Sequence, residues 1–222
     1  MTPFKLIEEQ AEVLQGGAET VLVKLPVPRD AQALTAVTDS ELLSLMSRRI
    51  FRAGLKHSMV DAKWPAFEEV FFGFDIQPVR MMSDEALQAL LNDQRIIRHW
   101  GKIKSVRANA AAIHELSESH TSFGHYLAAW PTARIVELWD ELKKHFTQLG
   151  GNSGPYFLRM AGKDTFLVTP DVIRALNRWD VIEGEAKSKK VRTKLQEAFN
   201  QWVEESGKPL CQISMILALS VD

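Results

Sequence analysis

An all-α fold is predicted, and three observations predict it. Apolar residues recur at helical spacing over most of the 222 residues. Helix start and stop signals bracket those stretches. The one segment that alternates at strand period, Val21, Val23, Leu25 and Val27, is broken by Pro26 and Pro28, which a central strand does not accept. Composition agrees: 45% apolar and 25% charged residues exclude disorder, collagen and coiled-coil rods. A chain of this length buries roughly 70% of its unfolded surface, enough for a core.

The elements follow in order. Phe4, Leu6, Ile7, Ala11 and Leu14 line one face of an opening helix that Gly16-Gly17 stops. Residues 19–29 read as an extended arm or an edge strand. Thr38-Asp39-Ser40-Glu41 is a capping box, in which hydroxyl and carboxylate satisfy each other's backbone amides, and its helix runs to about Lys56. Another helix covers about Trp64 to Phe74, and Ser83 caps one through Leu91. The next starts near Ile97-Arg98-His99 and carries Ile103, Val106, Ala110 and Ile113. Pro131 opens a helix holding Ile135, Leu138, Leu142 and Phe146. Leu149 to Pro155 is a glycine-rich turn into a further helix ending near Ala161. Thr169-Pro170 sets a cap and a first-position proline. Two helices close the chain, about 186–205 and 209–220. The count is about ten short helices, with no linker and no repeat.

Cys211 is alone in an apolar run, so no intramolecular disulfide forms and no metal site is built from cysteine spacing. The first ten residues carry Glu8 and Glu9 and lack the apolar core of a signal peptide. No run approaches the roughly 18 apolar residues of a membrane span. A cytoplasmic protein without membrane attachment is expected. The net charge of −1 argues against a generic polycation that coats DNA but leaves room for a basic face.

Two local features point to nucleic acid. Gly150, Gly151 and Gly154 lie in the turn between two helices. Glycine permits positive φ and close approach of the backbone, and helix-opening amides attract an anion such as a DNA phosphate. A plain helical hairpin with a glycine cap is the alternative. Arg98, Lys102, Lys104 and Arg107 form one run free of carboxylates, and Lys187, Lys189, Lys190, Arg192 and Lys194 form another. Such runs are solvated helix faces or phosphate contacts. Concentrated basic faces on a near-neutral chain predict DNA binding with a modest salt dependence.

The string Ile96-Ile97-Arg98-His99-Trp100-Gly101-Lys102-Ile103, followed by Asn109-Ala110, resembles the 3-methyladenine DNA glycosylase I family. That family carries IIRH, one variable residue, GKI and a spaced Asn-Ala pair. Thr38-Asp39-Ser40, Ala53-Gly54-Leu55, and Phe74-Asp75 with Pro78-Val79 resemble further family segments in the same order. The similarity runs over about residues 36–170. It implies a helix-hairpin-helix DNA glycosylase fold, with residues 1–35 as an N-terminal helix and arm. Residues 36–222 would then be the helical glycosylase-like domain, its hairpin near 149–155. It also implies a DNA N-glycosylase in base-excision repair. Such an enzyme works on double-stranded DNA, as a monomer without a cofactor, and hydrolyses the bond to an alkylated, 3-methyladenine-like base flipped into a pocket.

The chain departs from that family in three places. The family's zinc is held by two Cys and two His, whereas its last His-x-x-x-Cys pair falls here on Asp171 and Ala175, so no metal is expected. The family's pocket Glu lies a few residues before the AGL segment, where this chain has Arg48, Arg49, Phe51 and Arg52. The pocket Trp after that segment is replaced by His57. The resemblance makes Phe51, His57 and Trp64 base-pocket candidates, with core or surface roles as their alternatives. Gly54 and Leu55 would probe the gap left by the flipped base, Leu55 as an apolar wedge. Arg98 and Lys102 would reach phosphates, or be tied up internally. The wider superfamily places an Asp at the start of the helix after the hairpin. Asp171 occupies that neighbourhood, as a catalytic carboxylate or as a helix N-terminal charge. An inactive damage-binding protein of this fold and a glycosylase for another lesion are the competing functions.

Overall fold

The capping signals and apolar periodicities become helices, fifteen of them, with three short 3₁₀ turns and no strand. A computed structural model describes all residues, 1–222. In chain order they are α1 (Phe4–Gln15), α2 (Ala18–Leu22), α3 (Ala31–Thr35), α4 (Asp39–Arg52), α5 (His57–Ala62), α6 (Trp64–Val70), α7 (Ile76–Arg80) and α8 (Asp84–Ala89). Then come α9 (Trp100–His120), α10 (Phe123–Ala129), α11 (Ile135–His145), α12 (Ser153–Ala161), α13 (Pro170–Arg178), α14 (Lys189–Ser206) and α15 (Leu210–Leu219). No helix is long and apolar enough to cross a membrane.

Several expectations need correction. The segment at 19–29 begins as the short helix α2, which ends at Leu22; Val23 and Lys24 turn, and from Leu25 to Asp30 the chain has no regular structure. Pro26 and Pro28 break the segment, but upstream of them nothing opposes a helix. The single helix drawn over Trp64 to Phe74 is α6 plus a 3₁₀ turn at Phe72–Phe74, in which Gly73 takes φ 63°. The helix after Thr38 stops at Arg52, because Ala53 turns extended and Gly54 adopts φ 77°. α3 and α10 have no periodic signature, since five to seven residues cannot display one.

The helices gather into two compact units. One unit comprises Met1–Arg29, Pro131–Leu138 and Gly162–Asp222. Residues 1–29 therefore fold with the C-terminal helices rather than by themselves. Phe4 rests on Trp202, ring centres 5.9 Å apart, and Phe199 joins that pair edge-on. The Trp202 indole donates to the Thr2 carbonyl at 3.2 Å. Asp164 accepts from the Leu210 and Cys211 amides at 3.0 and 2.8 Å, a carboxylate cap for α15, whose own Pro209 offers none.

The other unit comprises Asp30–Trp130 and Trp139–Ala161. Its long axis is α9, against which α4 and α7 pack. Thr38 and Glu41 close the capping box of α4. Asp39 in the same turn accepts from the Phe123 amide (2.8 Å) and from the Ser117 hydroxyl (2.6 Å), tying α4 to α9 and α10. The core holds an aromatic cluster of Phe51, Trp64, Phe67, Phe71 and Phe74, all fully or nearly buried. Burial of that many aromatic rings supplies much of the unit's stability.

Candidate functional site

The hairpin is built by Trp139–His145 of α11, a turn, and α12. The first helix stops earlier than its apolar pattern suggests, at His145 rather than near Leu149. Gln148 at φ 70° and Gly151 at φ 58° turn the chain, and the Ser153 amide donates to the Gly150 carbonyl. Gly150 and Gly151 are exposed; a Cβ on Gly151 would meet open space, and one on Gly150 would only touch the Lys143 side chain at 3.8 Å. Gly154 is different: it is buried in α12, and a Cβ there would stand 3.1 Å from the Leu149 carbonyl oxygen. Phe146 and Phe157, one on each side of the turn, both contact the Phe123 ring.

Asn109 is wholly buried on α9 and reaches this turn. Its amide oxygen accepts from the Thr147 N–H at 2.8 Å, and its amide nitrogen donates to the Thr147 carbonyl at 3.1 Å. The Asn-Ala spacing is visible in the sequence; this clamp is not. The signal available was one amide side chain in an otherwise apolar stripe.

The string from Ile96 to Ile103 forms the start of α9. His99 is the N-cap, with Nδ1 accepting from the Lys102 amide at 3.3 Å. Ile96 and Ile103 are buried and Arg98 is exposed. Lys102 turns inward: its ammonium donates to the carbonyls of Phe51 (3.3 Å) and Ala53 (2.7 Å), closing the last turn of α4. Burial, with the nearby Arg49 charge, holds it below the usual lysine range. Arg107 is also occupied, with the Met82 carbonyl and Asp84. The run 98–107 is thus not one basic face; Arg98 and Lys104 point out, and Lys104 lies over the Trp100 ring. In the other unit Lys187 pairs with Glu185, and Lys189, Lys190 and Lys194 are exposed.

Phe51 and Trp64, expected as pocket walls, are packed in the aromatic cluster. Phe51 lies 4.5 Å from Phe67, and Trp64 stacks on Phe74 while its indole donates to Ser44. His57 opens α5 and is exposed. Gly54 is exposed and Leu55 half-buried in the bend before α5. The segment preceding that bend carries charge that the sequence left unpaired. Asp61, the first carboxylate after Glu41, accepts from Arg48 (2.9 Å) and from Arg52 (2.9 and 2.6 Å). The Arg52 hydrogen bonds, with Arg48 behind them, hold its carboxyl below the ordinary range. Arg49 has no such partner. Its guanidinium lies 4.5 Å from the centre of the Tyr156 ring on α12, and its Nε is buried without a hydrogen bond.

Asp171 belongs to the other unit. It sits exposed in the first turn of α13, behind the Thr169 cap, and pairs with Arg174 at 2.8 Å. No three His, Cys, Asp or Glu side chains converge as a metal site would require. The zinc set suggested by resemblance does not fit, since Ala175 offers no ligand and Cys211 is buried beside the Pro26 carbonyl.

Residues 33–149 match the methyladenine glycosylase family model. The chain is similar in structure to a 3-methyladenine DNA glycosylase I, with 24% identity, a TM-score of 0.51, and coverage of 62% of this chain and 82% of that one. It is similar to the Staphylococcus aureus enzyme, solved for 3-methyladenine recognition, at 22% identity, TM-score 0.50, covering 56% and 77%. The Methanocaldococcus jannaschii 8-oxoguanine glycosylase/lyase, solved with a 15mer DNA containing 8-oxoguanine, aligns over 96% of this chain and 95% of its own. Its identity is 12% and its TM-score 0.56. A search of curated proteins found no match.

Proposed function

The chain belongs to the methyladenine glycosylase family, and from that premise we propose that it is a monofunctional DNA glycosylase of base-excision repair. It binds duplex DNA, turns out an alkylated base of the 3-methyladenine kind, and hydrolyses its N-glycosidic bond. The observation that carries this reading is the family match over residues 33–149. It includes the start of α9 and the Asn109 clamp on the hairpin turn.

In this reading the exposed turn at Gly150 and Gly151 lies against the DNA backbone, where it positions without reading sequence. Exposed Arg98 neutralises a phosphate, and Leu55 fills the space the base vacates. Water attacks C1′, the electron pair of the glycosidic bond leaves with the base, and the water proton is lost to solvent. Asp171 supplies negative charge to the oxocarbenium-like transition state. Its position in the first turn of α13 and its Arg174 partner also suit a helix-stabilising charge, and mutation separates the two.

Incubation of the full chain with methylated duplex DNA, followed by chromatography of freed bases, tests the reading. Base release that is lost in a Gly151→Val variant supports it. Absence of release, with tight binding to abasic-site DNA, would instead identify a damage-binding protein. Unchanged release by Asp171→Asn would remove Asp171 from the chemistry.

A further inference from the structure

The cations of the hairpin and of α9 divide by what they touch. Lys144 and His145 share Glu141, Arg107 holds Asp84, and Lys102 is turned onto the carbonyls of α4. Arg98, Lys104 and Lys143 are exposed and have no carboxylate partner. Lys143 runs beside the turn, its Cγ 3.8 Å from where a Gly150 Cβ would stand. Lys104 is steadied over the Trp100 ring, 5.2 Å from its centre. No acid occurs between Asp93 and Glu115, or between Glu141 and Asp164.

Gln148 joins the two stretches. It follows the clamped Thr147, and its Nε2 lies 3.5 Å from the position of a Gly101 Cβ, beside the His99 ring. The hairpin turn therefore abuts the first turn of α9. Gln148 has φ 70°, a left-handed backbone that strains a residue with a side chain and that glycine adopts freely. The turn uses glycine at 150 and 151, yet position 148 carries glutamine. Neither packing nor internal bonding accounts for it: the residue is exposed, and its side-chain amide donates to no group of the protein. Strain retained without an internal contact to offset it marks a contact made outside the molecule.

We propose that the DNA backbone is held along a ridge running from the hairpin turn onto α9, with Gln148 as its central phosphate donor and Lys143 and Lys104 as its flanking cations. The inference rests on the DNA binding in the glycosylase reading. It extends that contact from the glycines of the turn and Arg98 to side chains of α11, the turn and α9. Three unpaired cations and a free amide, on stretches that carry no acid, fit a repeated anion. Base edges also present donors, to which ammonium and guanidinium groups offer nothing. Gln148 adds direction to that charge, since its neutral amide donates to a single phosphate oxygen.

The test is anisotropy titration of the full chain against a fluorescent duplex holding a stable abasic-site analogue, at several salt concentrations. Base release from methylated duplex by the wild-type protein is measured beside it. Gln148→Gly should melt at or above the wild-type temperature, because the strain is gone, and bind about tenfold more weakly with an unchanged salt slope. Gln148→Lys should steepen the slope by about one and bind more tightly at low salt. Lys143→Gln and Lys104→Gln should each flatten it by about one, with circular dichroism establishing that they are folded. A Gln148→Gly protein that melts lower than wild type or binds like it, or slopes unmoved by the two lysine variants, overturns the inference. If wild type releases base in that case, the glycosylase reading stands without the ridge. The expected shifts without any base release leave the ridge in place and overturn the glycosylase reading. A wild-type protein that neither binds the duplex nor releases base overturns both.

Discussion

Asn109 grips Thr147 by both of its backbone groups, accepting from its N–H at 2.8 Å and donating to its carbonyl at 3.1 Å. Thr147 lies just beyond the end of α11, where the helix no longer supplies backbone partners. One buried amide on α9 therefore sets where the hairpin turn begins. Asn109→Ala removes both bonds, and a loss of about 1–3 kcal/mol is expected in denaturant unfolding. DNA affinity should fall further than stability alone explains, since the turn is the proposed backbone contact. An affinity equal to wild type in the folded variant would detach the clamp from DNA binding.

Lys102 and Arg98 share a run in the sequence but face different partners. Lys102→Met should cost about 1–3 kcal/mol, because the Phe51 and Ala53 carbonyls lose their donor. The salt dependence of its DNA binding should match wild type. Arg98→Ala should barely change stability and should reduce the salt slope by about one. Binding titrations at several salt concentrations, alongside urea unfolding, separate the two effects.

Gly124 is packed too tightly for a side chain. A Cβ there would stand 2.7 Å from the Leu34 carbonyl oxygen and 2.8 Å from that of Val37, so α3 and α10 could not meet as they do. Gly124→Ala is expected to destabilise by about 1–3 kcal/mol through overpacking. A melting temperature unchanged from wild type would contradict this packing.

Tyr126 gives the fold a signature at high pH. Burial, aided by the Glu141 charge, pushes its phenol up to about 12. The folded state keeps this proton where an unfolded tyrosine, with a pKa of about 10, has lost it. Its contribution to stability is therefore complete below about pH 10 and lost as pH rises through about 12. Absorbance titration should show one of the two tyrosines ionising only near the upper end of that window. Tyr126→Phe should abolish the late step and flatten the alkaline stability limb.

Helix content, the capping box at Thr38, the glycine hairpin and the family relationship were all legible along the chain. Each depends on residues close in sequence, through periodicity, capping geometry or a contiguous string. The short helices α2, α3 and α10 were not, because their faces are chosen by packing. Side-chain partners were the other gap. Nothing in the order of residues distinguishes Lys102, turned onto two carbonyls, from Arg98, left in solvent. Nor does it reveal that Asp61 pairs with Arg48 and Arg52 and bypasses Arg49. The sequence by itself determined an all-helical member of a glycosylase family that carries arginines where an acid was expected. Only the tertiary structure decided which arginine is uncompensated. Charge pairing is a property of distances in space, and those are set when α4, α5 and α12 pack.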